Sequence, residues 1–171
     1  VMHDANHGAY SKNETVNMLI GRVIGLIGGF AANWKIQHNI LHHSYTNIEG
    51  HDEDISAPIS WLRFSPNTAR KKAHRFQYLY AWFFYGFMTV SWMTLKDFIQ
   101  LSRYKKKGLT STQSQKFYPL IIELIINKVI YYGVFIVLPI LLIDISWWYF
   151  PIFIFMMHFV AGFILAVVFQ L

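Results

Sequence analysis

Two histidine clusters, His3-x-x-x-His7 and His38-x-x-x-His42-His43, hold five of the eight histidines in the chain. Imidazole at this spacing is metal-ligand chemistry. Residues four apart on a helix stand one above the other, so His3 and His7 can point at one centre, and so can His38 and His42. His43 lies about 100° further round, placed to reach a second centre or to close the first from another side. A lone histidine is ordinarily a surface or satisfied core residue, and a single pair at this spacing arises readily by chance. Two clusters, one ending in adjacent histidines, carry more weight. The chain has no cysteine. That removes disulfides, thiolate zinc sites and iron–sulfur clusters, leaving imidazole with carboxylate or amide oxygen as further donors. Iron, zinc, copper and nickel all accept such a set.

The chain that must position these ligands is 54% hydrophobic and 18% aromatic, with a positive mean hydropathy. This composition points to a membrane protein. Three apolar stretches follow the second cluster: Tyr78–Leu95, Ile121–Ile143 and Trp147–Leu171. A helix needs ~20 residues to cross the hydrocarbon core, and the second and third stretches qualify. With Asp144-Ile-Ser146 as a minimal turn they read as a transmembrane hairpin, its far interface marked by Trp147, Trp148 and Tyr149. Glu123 and Lys128 are then expected near an interface, the lysine snorkelling outward. The first stretch has Arg70, Lys71, Lys72 and Arg75 before it and Lys96, Arg103, Lys105, Lys106 and Lys107 after it. A single crossing would carry one basic group to the wrong face, so it reads as interfacial or re-entrant, with a third ordinary span as the alternative.

The same logic applies between the clusters. Ser11-Lys-Asn-Glu14 reads as a capping box opening an apolar helix from Val16 to about Ile27, which Gly28-Gly29 breaks. One crossing here would put the clusters on opposite sides of the membrane, and Arg22 sits in the middle of the segment. It is therefore expected to lie along the cytoplasmic interface, with Asn33-Trp34-Lys35 leading into the second cluster's helix. The net charge of +6 borders apolar segments, where topology and anionic headgroups account for it; no recognition motif accompanies it, and nucleic acid is not an expected partner. Val1 directly precedes the first cluster and Leu171 ends an apolar run, so the sequence is expected to be an interior fragment of a longer protein. The expected fold is all-α and integral to the membrane: one domain, 1–171, with the histidine clusters on the cytosolic face in 1–75, an interfacial helix and basic loop in 76–116, and the transmembrane hairpin in 117–171.

In this order, His3-Asp-Ala-Asn-His-Gly-Ala-Tyr10, Asn33-Trp-Lys-Ile-Gln-His-Asn-Ile-Leu-His-His-Ser-Tyr-Thr-Asn47 and Gly50-His-Asp-Glu-Asp-Ile55 resemble the membrane-bound fatty acid desaturases. The closest likeness is to the bacterial acyl-lipid or acyl-CoA branch related to front-end desaturases. It is strongest over residues 1 to about 56 and continues through Trp92, Lys96-Asp97-Phe98 and Arg103-Tyr104-Lys105. The resemblance implies a multi-pass membrane enzyme whose site faces the cytoplasm. It would use dioxygen and two iron ions to place a cis double bond in a long-chain fatty acyl group, drawing electrons from a donor such as ferredoxin or a small cytochrome. His3 and His7 match the family's first histidine box; His38, His42 and His43 match the second. The third box is absent, so the chain alone is expected to lack a complete di-iron site and to be inactive. Removing hydrogen from an unactivated methylene demands a very strong oxidant, and neutral imidazoles suit ferrous iron with positions left open for oxygen. The alternatives are a related membrane di-iron hydroxylase, of alkane or carotenoid type, and, further off, a histidine-rich metal transporter.

Around the ligands, Asp4 lies between the first two histidines and Asn39 follows His38, both placed to hydrogen-bond an imidazole, since metal-bound histidines almost always donate their other N–H to an oxygen. Asp52 and Asp54 match family positions and are expected to orient ligands. Glu53 reads as a solvated turn residue, and the family pattern does not require His51. His158 falls near the bilayer midplane, too deep for a cytosolic cluster; the resemblance places a further ligand near Gln170 or just beyond it. His158, Gly162, Ala166 and Gln170 recur every four residues, either as a small-residue packing stripe or as a wall of the acyl tunnel. His74 is expected to be a solvated loop residue, and Tyr45, Trp34 and Trp92 carry no chemistry assignable from sequence.

Overall fold

In the computed structural model the described residues are 1–55, 59–113 and 116–170, with side chains described through 168. Every regular element among them is helical. α1 (Met2–Asn6) carries His3, with His7 at its C-cap, and the chain turns at Gly8 into α2 (Glu14–Gly21). Asn13 caps α2, its side-chain oxygen accepting from the amides of Thr15 and Val16 at 2.9 and 3.4 Å. The cap thus sits two residues later than the expected capping box. Ser11 accepts from the Asn13 amide instead, because only an oxygen carried at the N-cap itself reaches the orphan amides of the first turn. Asn17, nearly buried, donates to the Gly8 and Ser11 carbonyls and pins this loop to α2.

α2 tightens into a 3₁₀ stretch, Arg22–Ile27, that ends at Gly28 with φ +81°. This position needs glycine twice over. The left-handed backbone disfavours a side chain, and a Cβ here would lie 2.9 Å from the Met93 Cα. α3 (Ala31–Trp34) follows and runs into a π-helical turn, Lys35–His42. The axis changes by 104° between Glu14–Ile27 and Ala31–His42, which folds the second histidine cluster back onto α1.

No single helix covers the apolar stretch from Tyr78 to Leu95. After a 3₁₀ turn (Lys72–Phe76) it forms α4 (Gln77–Tyr85) and α5 (Met88–Met93), broken at Gly86 and Phe87; both pack on the last helix. Their short lengths fall below a membrane crossing. α6 (Lys96–Lys106) comes next. α7 (Phe117–Tyr132) continues through a π turn (Gly133–Val137) into α8 (Leu138–Leu142), and α9 (Tyr149–Gln170) closes the chain. Phe117–Leu142 and Tyr149–Val168 are long and apolar enough to cross a membrane, and the expected turn at 144–146 lies in the link between them. One core cluster, Phe30, Leu101, Leu120 and Leu124, and a second, Ile36, Leu41 and Tyr104, wedge α6 between the histidine-bearing π turn and α7.

A buried ion pair corrects the sequence-based reading of Lys128. Lys128 does not snorkel: it is 4% exposed and gives its protons to Asp97 Oδ2 (2.6 Å), the Gly28 carbonyl (2.6 Å) and the Trp92 carbonyl. A buried ammonium is tolerable only when so matched, here three donors to three acceptors. Asp97 also receives Asn33 Nδ2, on its carbonyl at 2.8 Å and on Oδ1 at 3.3 Å. Glu123 pairs with Arg22, at the start of the 3₁₀ stretch, at 2.7 Å, which accounts for an arginine in this apolar segment.

The spaced stripe on α9 serves packing. A Cβ on Gly162 would fall 2.6 Å from the Gly86 carbonyl oxygen. His158 is 2% exposed; its Nε2 meets the Tyr131 hydroxyl and its carbonyl accepts from Thr89 at 2.6 Å. An apolar cavity of about 680 Å³ lies between α8 and α9, lined by Phe135, Ile143, Phe150, Phe153 and Met157 among others. Neither His158 nor Gly162 lines it; Gly162 packs on Gly86 and His158 on Tyr131 and Thr89. The side chain of Gln170 lies outside the described residues.

Candidate metal centre

The bend at Gly28 brings all five clustered histidines together. His3 Nε2 is 3.1 Å from His38 Nε2, and the His7 ring lies 4.6 Å from that of His3 and 5.3 Å from that of His38, centroid to centroid. His43 faces His7 at 5.0 Å and His38 at 4.9 Å. Two donor groups emerge, His3 with His7 and His38, and His38 with His42 and Asp54; within each, all the ligand atoms lie within 4.8 Å of one another. His38 belongs to both. Contact between the clusters also means that the apolar segment joining them does not hold them apart.

Local helix geometry sets the ring directions. On an α path, residues four apart are rotated by about 40°. The π turn is wider, and the rings of His38 and His42 stack 5.2 Å apart with planes only 14° from parallel. Such π turns recur at functional sites because they re-aim side chains. Trp34 stacks on His38 (4.6 Å, 30°) and presents its face or edge to His3 and His7 at 5.5 and 5.7 Å. The sequence placed Trp34 beside the cluster but gave it no role; its position one turn before His38 was the available signal.

Carboxylates fix which nitrogen of His38 and His42 carries the proton. Asp54 Oδ2 lies 2.9 Å from His38 Nδ1, and Asp52 Oδ2 lies 3.0 Å from His42 Nδ1. An ionised carboxylate only accepts, so both Nδ1 atoms carry the proton and both Nε2 atoms keep a lone pair. Asp4 Oδ1 is 3.1 Å from His3 Nδ1. Asp52 is fully buried and also accepts the amides of Asn47 and Asp54, each at 2.9 Å. Burial alone would push its pKa up, but these bonds and His42 outweigh it and hold the carboxyl below its ordinary value. Asn47, at φ +63°, makes the turn that aims the loop inward, a backbone state asparagine tolerates.

Three expectations change here. Asn39 does not hold an imidazole: its Nδ2 donates to the Asn6 carbonyl at 2.9 Å and ties the two histidine helices together. Glu53 is no solvated turn residue, since it accepts Arg103 Nη2 at 2.6 Å and the Tyr104 hydroxyl at 2.7 Å. His74 is locally bonded, taking the Lys71 amide on Nδ1 and facing the Ser60 carbonyl with Nε2. His51 lies apart from the cluster, against Tyr45.

Electrostatics favour neutral ligands. The pKa of His7 is lowered by burial and then by His3, His38 and His43; that of His38 is lowered by burial, against the opposing pull of Asp54. Neutral imidazole is the form that binds metal. Five imidazoles with carboxylates at hand, no thiolate and two overlapping donor groups form a set that fits two adjacent cations of the iron or zinc kind.

A family profile described as fatty acid desaturase matches residues 1–169. Over 92 residues the chain is 44% identical to an sn-1 linoleoyl-lipid 6-desaturase from Arthrospira platensis, a match covering 54% of this chain and 25% of that protein. It is 38% identical over 105 residues to an enzyme of the same name from Synechocystis sp., covering 61% and 29%. An acyl-lipid (7-3)-desaturase, chloroplastic, from Chlamydomonas reinhardtii is 35% identical over 88 residues, covering 52% and 17%. The matched stretch thus spans between a sixth and a third of the length of these relatives. No solved structure is significantly similar to the chain.

Proposed function

Because the chain belongs to the fatty acid desaturase family, we propose that it works as an acyl-lipid desaturase, an oxidoreductase that uses dioxygen to place a cis double bond in a long-chain acyl group. The observation that carries this reading is the convergence of five imidazoles, two of which, His38 and His42, meet a carboxylate through Nδ1. Two iron ions held by His3, His7, His38, His42 and His43 would supply the one-electron and dioxygen chemistry that protein side chains lack. Asp52 and Asp54 hold His42 and His38 in one tautomer, and Asp4 supports His3. Trp34 covers one side of the rings and keeps water from it. α7 with α8, and α9, cross the membrane as a hairpin, which leaves the histidine cluster at the cytoplasmic surface beside the acyl chains. Gln170, at the end of α9, is the position from which the hairpin approaches that surface.

The overall reaction takes two hydrogens from adjacent methylenes and reduces one dioxygen to two waters. Two further electrons and two protons are therefore required. The electrons come from a small redox partner of the ferredoxin or cytochrome kind and the protons from solvent. The test is fatty acid analysis of cells expressing the full-length protein. A new double bond is expected, and its loss in His38→Ala. Hydroxylated acyl chains without a new double bond would make the protein a hydroxylase instead, and purified protein carrying zinc without iron would favour a transporter.

A further inference from the structure

Asp54 reaches His38 with one carboxylate oxygen; the other, Oδ1, accepts Gln37 Nε2 at 2.6 Å. That contact fixes the order of every proton behind it. Gln37 must turn its NH₂ to the carboxylate, so its carbonyl oxygen faces Gln100. Gln100 Nε2 donates to that oxygen and to the Tyr104 hydroxyl oxygen at 2.7 Å, with Glu53 Oε2 further off at 3.4 Å. Tyr104 must then send its own proton to Glu53 Oε2 at 2.7 Å, where Arg103 closes the far end. With a carboxylate at each end, one arrangement satisfies all the groups. Gln100 and Tyr104 are 4% and 0% exposed, so water cannot take the place of a missing partner, and a buried network of this kind is costly to leave half made. Burial and the neighbouring Glu53 also push the Tyr104 pKa up, which keeps the phenol a donor.

Resting on the reading of the histidine cluster as a metal centre, we propose that Gln37, Gln100 and Tyr104 are positioning residues. They hold the Asp54 carboxylate so that it accepts a hydrogen bond from the Nδ1–H of His38 and leaves Nε2 to the metal. His38 is the imidazole common to both donor groups, and with Nδ1 protonated its one lone pair, on Nε2, is the atom whose direction the carboxylate sets. α6 thereby shapes the centre without giving it a ligand. Its contribution follows from helical spacing, since Gln100 and Tyr104, four apart, share one face.

The test uses the full-length protein in detergent with Co²⁺ as the probe. Tyr104→Phe and Gln100→Leu are each expected to weaken Co²⁺ binding roughly tenfold, the lower end for groups that orient metal-bound histidines, and to alter the visible spectrum of the bound ion. Together they should lose little more than either alone, because both interrupt one relay. In an Asp54→Ala background Tyr104→Phe should add less than about twofold, as coupled residues do. Leu101→Ala, which opens the adjacent core, should lower Tm while leaving Co²⁺ affinity within about twofold. Losses that multiply in the double variant, persist in full without Asp54, or are matched by Leu101→Ala would overturn the proposal and reduce these residues to packing. A wild-type protein that binds no Co²⁺ would instead overturn the metal centre itself.

Discussion

Replacing Lys128 with methionine should destabilise the protein more than any exposed substitution. The ammonium meets three acceptors, Asp97 Oδ2 and the carbonyls of Gly28 and Trp92, in a site where lysine and aspartate are 4% and 3% exposed. Methionine fills much of the same volume and supplies no proton. Asp97 then keeps a buried charge whose remaining side-chain donor is Asn33 Nδ2, at 3.3 Å. Stranding one partner of a buried pair costs about 3–5 kcal/mol. For a chain of 171 residues, at about 2–4 °C per kcal/mol, Tm should fall by on the order of 6–20 °C. Tryptophan fluorescence during heating of the detergent-purified protein measures this. Because the damage lies in the bare charge, adding Asp97→Asn should restore at least half of the loss. A single variant within about 2 °C of the parent, or a double variant no better than the single, would refute the reasoning.

Other outcomes follow from the site and the hairpin. Asp52→Asn should weaken Co²⁺ binding by about 10–100-fold, since it removes the charge that orients His42, and equilibrium titration checks this. His7 and His38 titrate below their ordinary value of 6.5 in the folded chain. Between 6.5 and those lower values the unfolded chain binds protons that the folded one does not, so stability falls as pH drops through that window. Tm of the metal-free protein should therefore be lower at about pH 5.5 than at about pH 7.5, and equal values would contradict the assignment. Gly162→Leu should push α9 away from Gly86, at a cost of about 1–3 kcal/mol, seen as a lowered Tm without a change in Co²⁺ affinity.

Local patterns in the chain carried the histidine spacing, the break at Gly28 and the turn near Asp144, because each depends on a few neighbouring residues. The cap went astray by two residues because Ser11 and Asn13 both cap well, and only the path of the loop decides which stands at the N-cap. Lys128 reads as snorkelling because its partner, Asp97, is 31 residues away, and no helical period encodes such a pair. Glu53 looked solvated for the same reason: Arg103 and Tyr104 reach it from another helix. The π turn that carries His38 and His42 was invisible in composition. Asn39 was misplaced because, on that turn, its side chain is carried toward α1 rather than toward the rings.

The clasp on the Gly28 carbonyl has a consequence for how the protein is made. Its donor, Lys128, lies 100 residues downstream. At a synthesis rate of ~5–20 residues per second, that carbonyl waits roughly 5–20 s for its partner to leave the ribosome. Until then the bend that brings the histidine segments together lacks its fastening. Completion of the histidine cluster is thereby tied to arrival of α7, and a nascent chain arrested before Lys128 would carry both histidine segments without the lock that holds them in register.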